Sequence, residues 1–330
     1  MKLHENKNLF RQAIQATSQQ MEIPEIYVEK DYWITVALLK IFASATGKFA
    51  IFKGGTALSK CHKLIERFSE DIDIVVIRQE DDNANKLKNK LRAITQTVTE
   101  IMPEVQMDGI TNKLGMIRKT AHQYKKMNMQ GIYGQVRDMI IIEATWLGTF
   151  EPYVKSSVNS YIFDMMQSNG QTALIKDYNM QPFTVQVLSV KRTFCEKIMS
   201  LVRFSFTDQP YIDLAKKVRH IYDLHMMLRK QEIKEFLNSE AFDTMLNMVG
   251  ADDVTSYKNN NTWLSTHPKE AIIYKAPEET WARIRQSYQT TFKELVIGVL
   301  PEETGLVDTL KIIAQKLGLI TWDVANENNK

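Results

Sequence analysis

The sequence has few cysteines and no long apolar segment, and these two absences exclude several classes of protein. Its 330 residues include only Cys61 and Cys195, too few for a disulfide framework or a cysteine-rich zinc site. No run reaches the ~18 apolar residues that a membrane span requires, and residues 1–15 lack the apolar core of a signal peptide. We therefore expect a cytoplasmic protein that does not enter a membrane.

The net charge is also small. Lys and Arg total 42 against 39 Asp and Glu, a balance of +3, which excludes a protein that holds nucleic acid through its overall charge. Any basic surface must be local. The composition is otherwise that of a globular protein, and 330 residues exceed what a single hydrophobic core usually holds. We therefore expect two domains.

The periodicity of apolar residues changes along the chain. It predicts helices over 5–20, 24–43 and 82–101, and a strand, helix and strand within 49–77. Further strands are predicted near 105–109, 121–127, 137–147, 160–166 and 183–188, and helices near 190–204, 211–230, 239–249, 277–297 and 304–318. This order indicates an α+β protein: a mixed-sheet lobe with N-terminal helices over 1–188 and a mostly helical lobe over 189–330.

A glycine turn stands between the first predicted strand and the helix after it. Gly54 and Gly55 would let backbone amides approach a phosphate group, which the N-terminus of a helix also attracts. The Walker and dinucleotide patterns are absent, so an ordinary turn is the alternative. The neighbouring side chains that could add hydroxyl groups or positive charge are Lys53, Thr56, Ser59 and Lys60.

Two carboxylates follow in the run SEDIDIVV. Asp71 and Asp73 are two residues apart and therefore share one face of a strand. Unpaired carboxylates repel each other, whereas a bound Mg²⁺ neutralises both and prefers their oxygen atoms as ligands. The alternative is a strand face whose acidic side chains are simply solvated.

Two charged motifs lie in the predicted helical lobe. Lys197 follows Glu196 on an amphipathic helix, where a helix cap and a solvated face are the ordinary interpretations. Arg219 and Asp223 are four residues apart, a spacing that an intrahelical ion pair would explain.

Four motifs in this order resemble the AbiEii/AbiGii abortive-infection toxin family, which belongs to the DNA polymerase β-like nucleotidyltransferase superfamily. The motifs are KGGTALSK (53–60), RFSEDIDI (67–74), RTFCEK (192–197) and RHIYDL (219–224), and EKDYW (29–33) resembles the helix that precedes them. The resemblance covers about residues 24–230.

The resemblance implies a site for a nucleoside triphosphate and Mg²⁺. Asp71 and Asp73 would hold the metal with a third carboxylate, either Glu143 or, as the competing choice, Asp138. Lys197 and Asp223 would complete the cleft, with Asp223 either supporting the metal or acting as general base. The residues expected around the triphosphate are Lys53, Gly54, Gly55, Thr56, Ser59, Lys60, Ser69 and Arg219.

The implied activity is transfer of a nucleoside monophosphate to an acceptor, by the toxin of a toxin–antitoxin or phage-defence pair with a cognate antitoxin. Nothing selects among GTP, CTP, UTP and ATP. RNA, and tRNA by resemblance, is the leading acceptor. A non-catalytic nucleotide- or RNA-binding regulator, and nucleotidylation of a protein or small molecule, are the alternatives.

Two stretches without acidic residues suggest a surface for RNA. Tyr124 and Tyr133 lie within the first stretch, so that base stacking could accompany phosphate neutralisation. A solvated face balanced by distant acids is the alternative. The basic residues are Lys113, Arg118, Lys119, Lys125, Lys126 and Arg137 in the first stretch, and Lys86, Lys88, Lys90 and Arg92 in the second.

Overall fold

A computed structural model describes residues 1–127, 136–257 and 260–324. The chain divides into two compact units, and two short segments of the first 188 residues belong to the second unit. The first unit comprises Met1–His62, Phe68–Trp146 and Tyr153–Leu188; the second comprises Lys63–Arg67, Leu147–Pro152 and Ser189–Lys330.

The first unit contains a seven-stranded mixed sheet with the order β3-β4-β5-β2-β1-β7-β6. Strand β1 is antiparallel to β2 and parallel to β7, and β2 is parallel to β5. The strands are β1 (Ala50–Lys53), β2 (Asp71–Val76), β3 (Glu104–Val105), β4 (Ile117–His122), β5 (Ile140–Thr145), β6 (Tyr153–Val158) and β7 (Phe183–Leu188). The helices are α1 (Lys7–Met21), α2 (Glu25–Ala43), α3 (Gly54–Lys60), α4 (Ala84–Thr99), α5 (Tyr161–Ser168) and α6 (Thr172–Asp177).

Helix α2 lies in the core of this unit. Fourteen of its nineteen residues are buried, including the whole EKDYW motif. A helix that is buried on nearly all sides cannot show the one-sided apolar stripe of a surface helix. Its charged residues must therefore find partners inside the protein, and they do so at the candidate site described below.

The second unit is helical in its described residues. Its helices are α7 (Val190–Ser205), α8 (Pro210–Ala215), α9 (Val218–Leu228), α10 (Gln231–Leu237), α11 (Glu240–Ser256), α12 (Ile272–Lys275), α13 (Pro277–Ser287) and α14 (Glu303–Leu317). Among the described residues of both units, no helix has the length and apolar character needed to cross a membrane.

The predicted α+β class is confirmed, and most predicted elements are present. Strand β6 (Tyr153–Val158) was not predicted, and the strand predicted over 121–127 lies earlier, as β4 (Ile117–His122). One further prediction is of the wrong type. A strand was predicted over 160–166, where the structure has helix α5. Ser160 caps that helix by accepting a hydrogen bond from the amide of Phe163 at 3.1 Å. Ile162, Met165 and Met166 are its buried residues, a helical spacing. The long helix predicted over 211–230 is divided into α8 and α9.

Candidate active site

The glycine turn and the carboxylate strand are in direct contact. Gly54 has a φ of 78°, in the left-handed region that favours glycine. A Cβ atom at this position would lie 2.1 Å from Oδ2 of Asp73, so the carboxylate would have to shift. The backbone conformation therefore favours glycine at position 54, and any Cβ atom there would force the Asp73 carboxylate to move.

Four charged residues lie in one row across neighbouring strands. Lys53 on β1 is opposite Asp73 on β2, Asp73 is in register with Glu143 on β5, and Glu143 is opposite Lys119 on β4. Residues in register on paired strands project from the same face of a sheet. Lys119 Nζ lies 3.0 Å from Glu143 Oε2. Three carboxylates, those of Asp71, Asp73 and Glu143, therefore share one face.

Asp71 contacts a cation from the segment before β5. Arg137 Nη1 lies 3.3 Å from Asp71 Oδ1 and 3.2 Å from Glu70 Oε1. Glu70 also accepts hydrogen bonds from the amide of Arg137 and from Lys30 Nζ. The ammonium group of Lys30 is fully buried. Burial lowers its pKa and raises that of Glu70, and the attraction between the two opposes both shifts.

The donor set fits a divalent cation that takes oxygen ligands. Asp71 and Glu143 are about one quarter and one third exposed, and Asp73 is also partly accessible. Among the described residues, no three His, Cys, Asp or Glu side chains converge on one point. The register favours Glu143 over Asp138, since Asp138 precedes β5 and pairs with Lys126. Asp71 and Asp73, with Glu143 as the third candidate, are the residues that would hold Mg²⁺.

Several residues expected around the triphosphate are engaged inside the protein. The Thr56 hydroxyl is buried and donates to the carbonyl oxygen of Asp71, 2.5 Å away, and its oxygen lies 3.1 Å from Oγ of Ser69. Ser59 Oγ donates to the carbonyl oxygen of Thr56. Lys60 Nζ is buried and donates to Asp31 Oδ1 at 2.6 Å and to Thr35 Oγ1 at 2.9 Å. These contacts join the glycine motif to the carboxylate strand and to α2.

The EKDYW helix supplies the buried partners of this site. Glu29 accepts a hydrogen bond from the amide of Met127 at 2.7 Å, and burial raises the pKa of its carboxyl group to about 7. Lys30 binds Glu70, as described above. Asp31 binds Lys60 and accepts from the amide of Tyr161 at 2.8 Å. Three consecutive charged residues thus each hold a different segment of the first unit.

The second unit has its own charged cluster, formed by Arg67, Lys197 and Asp223. Arg67 approaches Asp223 with Nε at 2.7 Å and Nη2 at 2.9 Å, and Lys197 Nζ donates to Asp223 Oδ2 at 2.6 Å. Asp223 is completely buried. Burial alone would raise the pKa of this carboxyl group, but Arg67 and Lys197 outweigh it and lower the pKa to about 2. Asp223 is therefore an ionised acceptor of three hydrogen bonds.

The spacing of Arg219 and Asp223 favoured an intrahelical pair, but the cations bound to Asp223 come from elsewhere. The side chain of Arg219 is exposed near the start of α9. Next to it, Nδ1 of His220 is buried and has no hydrogen-bond partner among the described residues. Burial and the nearby Lys197 and Arg219 lower the pKa of His220 well below its ordinary value, which keeps the ring neutral.

The basic stretches lack acids in sequence but not in space. Most of their cations form ion pairs, and Tyr124 is buried, stacked on Trp33 with ring centroids 5.8 Å apart. Tyr124 is thus a core residue, contrary to the expectation of base stacking; Tyr133 lies outside the described residues. The pairs are Lys113–Glu104, Arg118–Glu104, Lys119–Glu143, Lys126–Asp138, Arg137–Glu70, Lys86–Asp81 and Lys90–Asp82.

Three participants in these two clusters had no role assigned from the sequence: Lys30, Glu70 and Arg67. Lys119 was expected to contact RNA and instead pairs with Glu143. Lys30 lies in the EKDYW motif and Glu70 in the RFSEDIDI motif. A charged residue among apolar neighbours in the sequence could have indicated that each has a buried partner. Arg67 begins the RFSEDIDI motif, but its partner Asp223 is 156 residues away. No local spacing indicates such a pair.

Comparisons with known proteins agree with this description. The family model "Nucleotidyl transferase AbiEii toxin, Type IV TA system" matches residues 37–301. Among solved structures, the chain is similar to MenT4, a nucleotidyltransferase toxin from Mycobacterium tuberculosis H37Rv, with a TM-score of 0.56 and 16% sequence identity. That match covers 97% of this chain and 92% of the MenT4 chain, and at this identity it shows a shared fold. No curated protein matches the sequence.

Proposed function

Because this chain belongs to the AbiEii family of nucleotidyltransferase toxins from type IV toxin–antitoxin systems, we propose that it transfers a nucleoside monophosphate from an NTP to an acceptor hydroxyl in a Mg²⁺-dependent reaction. One observation carries the proposal. Asp71 and Asp73 share a strand face with the in-register Glu143, and Gly54 contacts Asp73 without a side chain between them.

The proposed reaction is attack of the acceptor oxygen on the α-phosphorus with release of pyrophosphate. Bound Mg²⁺ would neutralise the triphosphate and lower the pKa of the acceptor hydroxyl. Asp71 and Asp73 would hold the metal, and the backbone amides of Gly54 and Gly55, at the N-terminus of α3, would approach the phosphates. Lys53, opposite Asp73 in the sheet, supplies positive charge at the same row.

The other expected ligands take supporting roles in this proposal. Thr56 and Ser69 fix the glycine helix against the strand that carries Asp71, and Lys60 fixes the end of that helix to α2. We assign Lys197 the role of a phosphate counter-ion on the family resemblance; its ammonium group is as buried as that of Lys60 and is paired with Asp223. Asp223 would orient it, since both oxygens of Asp223 already accept from cations. A general-base role for Asp223 is disfavoured, because a carboxyl group with a pKa of about 2 is a weak base.

RNA, tRNA in particular, is the proposed acceptor, the protein acts in the cytoplasm, and a cognate antitoxin counteracts it. Lys125, Lys88 and Arg92 keep exposed side chains in the two basic stretches. The burial of Tyr124 and the ion pairs nearby favour a second candidate, a hydroxyl group of a protein or small molecule, because they remove much of the surface expected for RNA.

One experiment separates these acceptors. The protein is incubated with Mg²⁺, total RNA and a cell extract, in parallel reactions that each contain one α-labelled NTP. Label in RNA supports the proposal, and label in protein or in a small molecule supports the second candidate. No label with any of the four NTPs would contradict nucleotidyl transfer and favour a non-catalytic regulator.

A further inference from the structure

Arg137 lies between two carboxylates, those of Glu70 and Asp71, and Glu70 is the more buried of the two. Its Nη1 atom is 3.2 Å from Glu70 Oε1 and 3.3 Å from Asp71 Oδ1. The side chain is 45% exposed, and Asp71 is 25% exposed. One guanidinium nitrogen therefore serves both acids at a surface that a solute can reach.

Arg137 makes more hydrogen bonds with Glu70 than with Asp71. The amide of Arg137 donates to Glu70 Oε2 at 2.9 Å, so Glu70 holds both the main chain and the side chain of this residue. Lys30 Nζ, fully buried, donates to Glu70 Oε2 and to the carbonyl oxygen of Arg137. Glu70 thus has a permanent buried counter-ion, and it anchors Arg137 whatever happens at Asp71.

The contact with Asp71 is a single, partly solvated ion pair. Pairs of this kind contribute little to stability, because water screens them, and a divalent cation prefers carboxylate oxygens as ligands. A metal ion can therefore take Asp71 from Arg137. The guanidinium group has five N–H donors in a planar fork that suits phosphate oxygens. Released from Asp71 and still held by Glu70, it stays beside the carboxylates where the triphosphate is expected.

From this geometry we propose that Arg137 is an exchangeable counter-ion: it neutralises Asp71 in the metal-free protein and the triphosphate once metal has bound. The inference rests on the proposed function, since it takes Asp71 as a metal ligand. An ordinary surface ion pair would have no such double effect. When Arg137 is replaced, the affinity for metal should therefore rise and the affinity for NTP should fall.

The test measures two affinities in R137Q. Mn²⁺ binding without nucleotide is followed by electron paramagnetic resonance, and binding of each NTP with Mg²⁺ by calorimetry. Removing a competing cation should tighten Mn²⁺ binding about twofold to fivefold, whereas losing a phosphate counter-ion should weaken NTP binding about tenfold. R137K keeps the charge and should retain NTP affinity within about threefold.

K113Q is the matched control. It also removes one positive charge from the same basic stretch, but Lys113 is paired with Glu104 and not with Asp71 or Glu70. It should change neither affinity. Weaker or unchanged Mn²⁺ binding in R137Q, or unchanged NTP binding, overturns the inference. D71N distinguishes a failure of the proposed function from a failure of the inference about Arg137. If D71N binds Mn²⁺ as well as the unaltered protein does, the proposed function fails; if only R137Q behaves like the control, the inference alone fails.

Discussion

Oδ2 of Asp73 lies 2.1 Å from the place that a Cβ atom at Gly54 would occupy. The glycine turn and the carboxylate strand are therefore parts of one structure, although 18 residues lie between Gly54 and Asp73 in the sequence. Any side chain at position 54 must displace the carboxylate that we propose as a metal ligand.

Replacement of Gly54 by alanine should accordingly reduce nucleotide transfer by more than about a hundredfold. The control is G109A: Gly109 also has a positive φ, but a Cβ atom there would meet nothing within 4 Å. Both variants should lose about 1 kcal/mol of unfolding free energy from the backbone conformation. Transfer by G109A should stay within about twofold of the unaltered protein. Equal activity of the two variants would show that the contact with Asp73 has no functional importance.

Lys60 was expected to bind phosphate, and its buried pair with Asp31 predicts a different phenotype. K60M should cost about 3 to 5 kcal/mol of unfolding free energy in urea denaturation, because Asp31 is left charged and buried. The KM for the NTP should change less than about threefold in the protein that remains folded. A tenfold rise in KM with unaltered stability would instead support direct phosphate binding by Lys60.

The Asp223 cluster predicts a loss of stability in acid. The pKa of this carboxyl group is about 2 in the folded protein and near 3.8 when unfolded. Its contribution is thus complete above about pH 4 and disappears as the pH falls towards 2, because the unfolded chain binds the proton first. D223N removes this dependence. The difference in unfolding free energy between unaltered protein and D223N should shrink by about 2 kcal/mol from pH 5 to pH 2. A constant difference would contradict the ionised buried cluster.

Glu29 predicts a pH dependence of the opposite sign. Its carboxyl group has a pKa of about 7 when folded and 4.5 when unfolded. The unfolded chain therefore releases the proton first, and stability decreases as the pH rises from 4.5 to 7. In E29Q the amide oxygen can still accept from Met127. E29Q should gain about 2 kcal/mol relative to the unaltered protein between pH 5 and pH 8, while the exposed E22Q should gain nothing. The same pH slope in E29Q would exclude Glu29 as its source.

The sequence predicted the elements and carboxylates that depend on local patterns. The strand over 71–76, the sharing of one face by Asp71 and Asp73, and the strand context of Glu143 follow from side-chain alternation. Helix α5 was missed because a short apolar run suits either helix or strand, and the Ser160 cap was not recognised. The partners of Lys60, Lys30 and Asp223 are 29, 40 and 156 residues away, and such distances follow only from tertiary structure.

These long-range pairs also change the roles that we assign to the conspicuous residues of the motifs. A lysine beside a glycine turn favours phosphate binding when only its neighbours in sequence are known. In the folded protein, Asp31 and Thr35 occupy that lysine, and the charges of the EKDYW helix hold the site together from inside. Many of the charged residues in these motifs therefore stabilise the structure around Asp71 and Asp73 from inside the protein.

The most direct test of the whole account is the rate of label transfer from an α-labelled NTP by D71N and D73N, compared with the unaltered protein at equal concentration and saturating Mg²⁺. Asp71 makes a partly solvated pair, so D71N should melt within about 2 °C of the unaltered protein. We predict that both variants remain folded and that transfer falls below about one thousandth of the unaltered rate. Transfer at a normal rate by folded D71N would contradict the assignment of the metal ligands and, with it, the proposed mechanism.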